Sequence, residues 1–141
     1  MNIYELRHLF YKSDCGLCQS ELKLGFFDSM EEVHNALKHY NTQPGFLENP
    51  NAYIVRIRKL DGLLDIDEFF EAIMYVYSEN YEIESIIDVG LYFDKKDAEL
   101  ALDYHNSLNV VLNANKELNV EYIVNRHKIN QLEWREGFTV N

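Results

Sequence analysis

Alternating hydrophobic positions occur twice in the chain, each time just before a stretch with helical periodicity. These positions are Leu22, Leu24 and Phe26 in the first copy and Ile87, Val89 and Leu91 in the second. Such alternation places one set of side chains on one face of a strand. The pattern predicts a strand in each copy, and residues 24–37 align without a gap on residues 89–102.

A helix is predicted after each of these strands. Ser29 with Glu32 reads as a capping box, and Asp94 with Asp97 is the corresponding pair in the second copy. Apolar positions then recur with the period of a helix that packs on one side. They are Met30, Val33, Leu37 and Tyr40 in the first helix and Ala98, Ala101, Leu102, His105 and Leu108 in the second.

Each copy also has a strand after its helix and one in front. The later strands are predicted at residues 53–60 and 122–129, which both begin Tyr-Ile-Val. The first copy opens with a strand at residues 3–11, and its counterpart is predicted at residues 73–77. Four residues of the opening strand share a face, namely Tyr4, Leu6, His8 and Phe10.

The segment 65–77 fits two structures. Its apolar positions also follow a helical period, with Asp65 and Glu68 as a capping pair. The comparison with the first copy decides in favour of a short helical turn near 65–71, followed by the strand.

The repeated unit predicts an α+β protein, built from a duplicated strand-strand-helix-strand unit with antiparallel sheet and two main helices packed on it. The repeats are assigned to residues 1–70 and 71–141. A period of this length is typical of a domain duplication rather than a solenoid. Because neither half has much core of its own, the halves are expected to pack as one compact domain with pseudo-twofold symmetry.

Several short motifs resemble a family of small uncharacterised bacterial domains. They are YELRH, an acidic loop with cysteine, KLGFF, the turn Gln43-Pro44-Gly45-Phe46 and the closing Trp134-Arg135-Glu136-Gly137-Phe138. In that family one copy contains both the Pro-Gly-Phe turn and the closing Trp-x-Glu-Gly-Phe. Here the first half keeps the turn and the second half keeps the closing motif. The resemblance implies a diverged tandem duplication and carries no known activity.

Composition and charge narrow the classes of function. The chain has 141 residues, of which 47% are hydrophobic, and a formal charge of −11 that is spread along the chain. This charge disfavours nucleic-acid and anionic-membrane binding, and it favours solubility or a basic partner. The chain has no apolar run long enough to cross a bilayer and no export signal. We therefore expect a cytoplasmic protein, as a monomer or homodimer.

Cys15 and Cys18 form the one Cys-x-x-Cys pair. A zinc site needs four ligands, and the five histidines have no metal-binding spacing. A redox pair needs a helix N-terminus, whereas this pair lies between two predicted strands beside Asp14. We expect no metal and no cofactor, and the two cysteines remain candidates for a metal- or thiol-dependent regulator.

Tyrosines interleave with glutamates early in the second copy. The residues concerned are Tyr75, Tyr77, Glu79, Tyr81, Glu82 and Glu84. Aromatic anchors among negative charges are typical of a surface that binds a basic protein. The alternative is a hairpin whose tyrosines cover the core.

Motifs for nucleophilic catalysis or phosphate binding are missing from the sequence. The leading hypothesis is therefore a non-enzymatic acidic protein-binding module. It is expected to act as an immunity or inhibitor protein that neutralises a basic partner such as a nuclease toxin. A ligand-binding accessory protein is a further alternative.

Overall fold

A computed structural model of the chain describes residues 1–11, 19–60, 67–112, 119–134 and 137. This part of the chain forms six strands and two helices. In chain order they are β1 (Asn2–Tyr11), β2 (Gln19–Phe27), α1 (Met30–Tyr40), β3 (Tyr53–Lys59), β4 (Glu68–Tyr77), β5 (Ile83–Tyr92), α2 (Lys95–Leu112) and β6 (Asn119–Lys128).

The strands form two antiparallel three-stranded sheets, with the orders β2-β1-β3 and β5-β4-β6. The predicted α+β class is confirmed. The chain divides into two compact units: the first unit is Met1–Lys59 with Lys128–Asn141, and the second unit is Leu60–His127. The packing of both repeats as one domain stays a prediction.

In the first unit, α1 packs on one face of its sheet. Ser29 caps the helix, and its hydroxyl accepts a hydrogen bond from the Glu32 N–H at 3.2 Å. This contact confirms the cap predicted from the sequence. Val33, Ala36 and Tyr40 of the helix are buried in a common core. The strands contribute Leu6, Leu24 and Phe27 to it, and the following turn contributes Phe46.

In the second unit, α2 packs on the β4–β5 sheet in the same way. The Asp94 carboxylate accepts a hydrogen bond from the Lys96 N–H at 3.0 Å, as expected of a helix cap. Ala98 and Leu102 face Ala72 of β4 in the core. Leu108, which the helical period placed on the core face, is 39% exposed.

The two units share structural details at positions that the sequence repeat aligns. Each central strand has an irregularity in register next to a residue that pairs with glycine, Leu6 with Gly25 and Ala72 with Gly90. Each unit also joins a tyrosine hydroxyl to an asparagine side chain. The tyrosine donates in both cases, Tyr53 to Asn41 at 2.9 Å and Tyr122 to Asn106 at 3.0 Å.

The helical turn predicted near residues 65–71 is wrong where the structure describes it. Glu68 already belongs to β4, so the strand begins five residues earlier than the predicted residues 73–77. The reason is burial on both faces: Phe69 and Ile73 are buried on one side of β4, and Ala72 and Met74 on the other. A strand buried on both sides has a continuous apolar run, which periodicity alone cannot distinguish from a helix.

The C-terminal segment returns to the first unit. The Asn130 N–H donates to the Phe26 carbonyl oxygen at 2.8 Å, and the Glu133 N–H donates to that of Leu24 at 2.9 Å. Gly137 lies so close to Pro44 that a Cβ on this glycine would sit 2.6 Å from the proline Cδ. Pro44 of the turn and Gly137 of the closing motif therefore lie together in one unit.

Candidate functional site

The β4–β5 hairpin turns through Glu79, Asn80 and Tyr81. The Ser78 N–H donates to the Glu82 carbonyl oxygen at 2.8 Å, and the Tyr81 N–H donates to that of Ser78 at 3.0 Å. Tyr81 has a φ of 61°, a left-handed conformation that glycine or asparagine normally adopts in such loops. Its side chain is 80% exposed. A bulky residue in a strained, exposed conformation marks the turn as a candidate site.

Tyr75 and Tyr77 lie on one face of β4 beside this turn. Their ring centroids are 6.5 Å apart with an interplanar angle of 28°. The Tyr77 hydroxyl donates to the Glu121 carboxylate at 2.9 Å. This hydrogen bond, which only the protonated phenol can donate, raises the pKa of Tyr77. Both rings are half-buried, so each leaves part of its surface exposed.

Three carboxylates surround the turn. Glu79, Glu82 and Glu84 are exposed, and none of them forms an ion pair with the described residues. Residues 60–94 contain ten Asp or Glu and no Lys, Arg or His. The even spread of acidic charge stated for the whole chain is therefore wrong for this stretch. We call Tyr75, Tyr77, Glu79, Tyr81, Glu82 and Glu84 the hairpin surface.

Apolar side chains extend the hairpin surface along β5. Ile83 and Ile86, which pair with Tyr77 and Tyr75 of β4, are 55% and 54% exposed, and Ile87 on the opposite face is also exposed. β5 is an edge strand of its sheet among the described residues. The exposure of these isoleucines is not predicted from the sequence, because the alternation at Ile87, Val89 and Leu91 assigns the strand to the core. The adjacent pair Ile86-Ile87 was the available signal, since neighbours in a strand point to opposite faces.

Each unit has a buried carboxylate in contact with a basic side chain. Glu5 is 1% exposed and accepts hydrogen bonds from Arg7 and from Arg58, the latter at 2.7 Å. Glu71, with an exposure of 0%, lies 3.0 Å from Nε2 of His127. In both units the carboxylate is on the central strand and the base on the last strand. Contacts of this kind position side chains within a fold, and they are not by themselves catalytic.

His8, predicted on the core face, is fully buried. Its Nε2 lies 3.0 Å from the Asn49 carbonyl oxygen, which can only accept, so Nε2 donates. The ring meets Phe46 and Tyr53 edge-on at 4.8 and 5.0 Å. Burial lowers the pKa of His8, and the hydrogen bond to Asn49 opposes part of this shift. These contacts are those of a core histidine.

The candidate metal ligands Cys15 and Cys18 lie outside the described residues. The described residues contain no group of three or more His, Cys, Asp or Glu side chains placed to hold a metal ion. Among the same residues, no helix has the length and apolar character needed to span a bilayer.

A cavity of about 420 Å³ lies between α2 and β6. Lys95, Glu99 and Asp103 bring charges of both signs to its wall. The cavity is also lined by Tyr122 and Asn106. The Tyr122 hydroxyl donates a hydrogen bond to the Asn106 side-chain oxygen. These two polar groups are therefore engaged within the unit instead of being directed at a ligand.

Comparison with models of known protein families, with curated proteins and with solved structures found no match for this chain. The resemblance to the family of small bacterial domains stays a prediction.

Proposed function

We propose that the protein is a non-enzymatic binding module whose hairpin surface docks on a basic protein. The form of activity that fits best is that of an inhibitor or immunity protein, which neutralises a basic partner such as a nuclease toxin by occupying its surface. Tyr81 carries the proposal, because it combines left-handed backbone with 80% exposure at the centre of three carboxylates.

Charge supports the first step of such binding. Residues 60–94 carry ten carboxylates without a cation, so the field around the hairpin is negative. A field of one sign attracts an oppositely charged protein and speeds encounter in a salt-dependent way. Rim charges of this kind act mainly on the association rate, and they also exclude acidic partners.

The tyrosines support the second step. An exposed tyrosine offers a large contact area at low cost in side-chain entropy, and tyrosine is enriched among the residues that dominate interface energies. Its ring face also attracts lysine and arginine. Tyr81 is expected to insert between cationic side chains of the partner, while Tyr75 and Tyr77 provide a flatter surface beside it.

Affinity capture from the native cell, followed by binding measurements with the purified captured protein, tests this function. The association rate should fall about tenfold when Glu79, Glu82 and Glu84 are all changed to Gln. A matched control changes the exposed Glu31, Glu48 and Glu99 to Gln, which alters the net charge equally but away from the hairpin. The control should bind nearly as the wild type does.

The aromatic part of the proposal has its own control. Tyr81→Ala should weaken binding about thirtyfold, as expected for loss of roughly 2 kcal/mol at a central contact. Tyr104→Ala removes a tyrosine of α2 that is 64% exposed, and it should have little effect. Equal affinities for the two variants, together with binding that is insensitive to salt, would contradict the proposed function.

A further inference from the structure

The outer edge of β5 offers a place for an added strand. Among the described residues β4 is the one strand that pairs with β5, so no described strand lies on the other side of β5. Natural edge strands are commonly blunted by lysine or proline. Residues 83–87, with the sequence IESII, contain neither, and they expose Ile83, Ile86 and Ile87. Their pairing with β4 skips Glu84 at an irregularity in register, so the regular part of this edge is residues 85–87.

The first unit shows an extended segment paired with part of an edge strand. β2 is the corresponding edge strand there, and the segment after β6 lies along it. Backbone hydrogen bonds join Asn130 to Phe26 and Glu133 to Leu24. The sequence repeat aligns Leu24 and Phe26 with Val89 and Leu91, so the covered part of β2 lies further along the strand than the positions that correspond to residues 83–87. The contact shows that an extended stretch of chain can pair with an edge strand of this fold.

The negative charge beside β5 indicates which kind of segment would pair with it. Glu82 and Glu84 are exposed next to the isoleucines, and no cation occurs anywhere in residues 60–94. A second copy of this chain, paired through β5, would bring the carboxylates of both copies to one seam, where like charges are destabilising. A segment with lysine or arginine between apolar residues complements both features.

We infer that a partner protein binds by adding a basic, extended segment as a strand to β5 along residues 83–87. This inference rests on the proposed function and specifies its binding mode. Backbone hydrogen bonds to the edge provide affinity, and alternate side chains of the added strand provide specificity. Cationic side chains of that strand lie near Glu82 and Glu84, and its apolar side chains cover Ile83 and Ile86.

The probe for this inference is a short peptide of alternating lysine and valine. Its control has the same lysines with prolines in place of the central residues, which removes the backbone donors of a strand. We expect hydrogen–deuterium exchange to show new protection of amides within residues 83–87 with the first peptide. The proline peptide should bind about tenfold more weakly, because it loses one or two backbone hydrogen bonds.

Matched variants locate the binding edge. Ile86→Lys places a cation on β5 and should abolish the protection, whereas Ile57→Lys on the edge strand β3 should leave it unchanged. Equal binding of both peptides without protection would overturn strand addition while leaving electrostatic capture by the hairpin intact. Failure of both peptides to bind also overturns it. Protection of the same amides in a concentration-dependent dimer without peptide would assign the edge to a second copy.

Discussion

Glu5 is expected to make a large contribution to stability through its ion pairs. Glu5 is 1% exposed and contacts the guanidinium groups of Arg7 and Arg58. Glu5→Gln removes the negative charge and leaves both cations largely out of water. We expect a loss of about 3 to 5 kcal/mol in the free energy of unfolding, measured by urea denaturation.

Glu21 provides the control for this variant. It also contacts Arg7, but its side chain is 37% exposed. Glu21→Gln should cost less than about 1 kcal/mol, since exposed pairs contribute little. Similar losses for the two variants would show that burial does not determine the strength of these pairs.

His8 predicts a dependence of stability on pH. Burial lowers its pKa from the usual 6.5, and the bond to Asn49 offsets this in part. Below pH 6.5 the unfolded chain therefore binds a proton that the folded chain does not. Stability is fully present above this pH and declines as pH falls through it. Below pH 6.5 the urea midpoint of His8→Gln should fall less steeply with pH than that of the wild type. His34→Gln, which changes an exposed histidine of α1, should not reduce the slope.

Some of these residues follow from the sequence and others do not. His8 is predicted on the core face, because it alternates with Tyr4 and Leu6, and it is confirmed as buried. Glu5 lies on the opposite face, where a charged residue predicts solvent. Its burial depends on Arg58, which is distant in sequence, so local alternation carries no sign of it.

Gly25 of β2 and Gly90 of β5 occupy aligned positions in the two units, so the effect of the same substitution on stability can be compared at both. Gly25 has a φ of 150°, and an added Cβ would lie 2.6 Å from the Gln131 carbonyl oxygen of the C-terminal segment. Gly25→Ala should lower the free energy of unfolding by about 2 kcal/mol, since the backbone must move. At Gly90 the closest atom is the Tyr92 hydroxyl, at the end of a side chain that can shift. Gly90→Ala should change stability by less than about 1 kcal/mol.

Substitution of Tyr81 in the hairpin turn should weaken binding without lowering stability. Tyr81 adopts a left-handed conformation, which costs an ordinary residue about 1 kcal/mol and glycine almost nothing. Tyr81→Gly should therefore leave thermal stability unchanged or raise it, while binding to the captured partner falls. Tyr104→Gly within α2 should instead lower stability by about 1 kcal/mol and leave binding unchanged. A destabilised Tyr81→Gly variant would mean that the tyrosine ring stabilises the turn.

Local signals predicted the elements well where one residue determines the boundary. Ser29 and Asp94 cap their helices as expected, because a cap depends on groups within three residues. The predicted start of β4 was wrong. Both faces of this strand are buried, so its sequence lacks the alternation of apolar and polar residues that marks a strand. The hairpin tyrosines and glutamates were predicted as a cluster, yet the left-handed turn at Tyr81 has no sequence signal, because glycine or asparagine is the usual marker.

At the scale of the whole molecule, chain order and spatial order differ. Lys128–Asn141 belong to the first compact unit, although this range begins at the last residue of β6, whose other residues belong to the second unit. Periodicity cannot reveal this return, because it reports on neighbours in sequence. The Pro-Gly-Phe turn and the closing motif gave the available signal: one copy in the resembled family contains both, and Pro44 and Gly137 lie together here.

The return of the C-terminal segment predicts the effect of shortening the chain. A chain that ends after Lys128 loses the backbone bonds from Asn130 and Glu133 to β2, and it loses Leu132 from the edge of the first core. Hydrogen exchange of the β2 amides should then accelerate strongly, with a smaller change at β5. A chain that ends after Trp134 keeps all three contacts and should protect β2 nearly as the full chain does. If the β2 amides exchange equally in the two shortened chains, the segment after β6 does not stabilise the first unit. An edge strand that gains no free energy from a neighbouring segment exchanges at the same rate when that segment is removed.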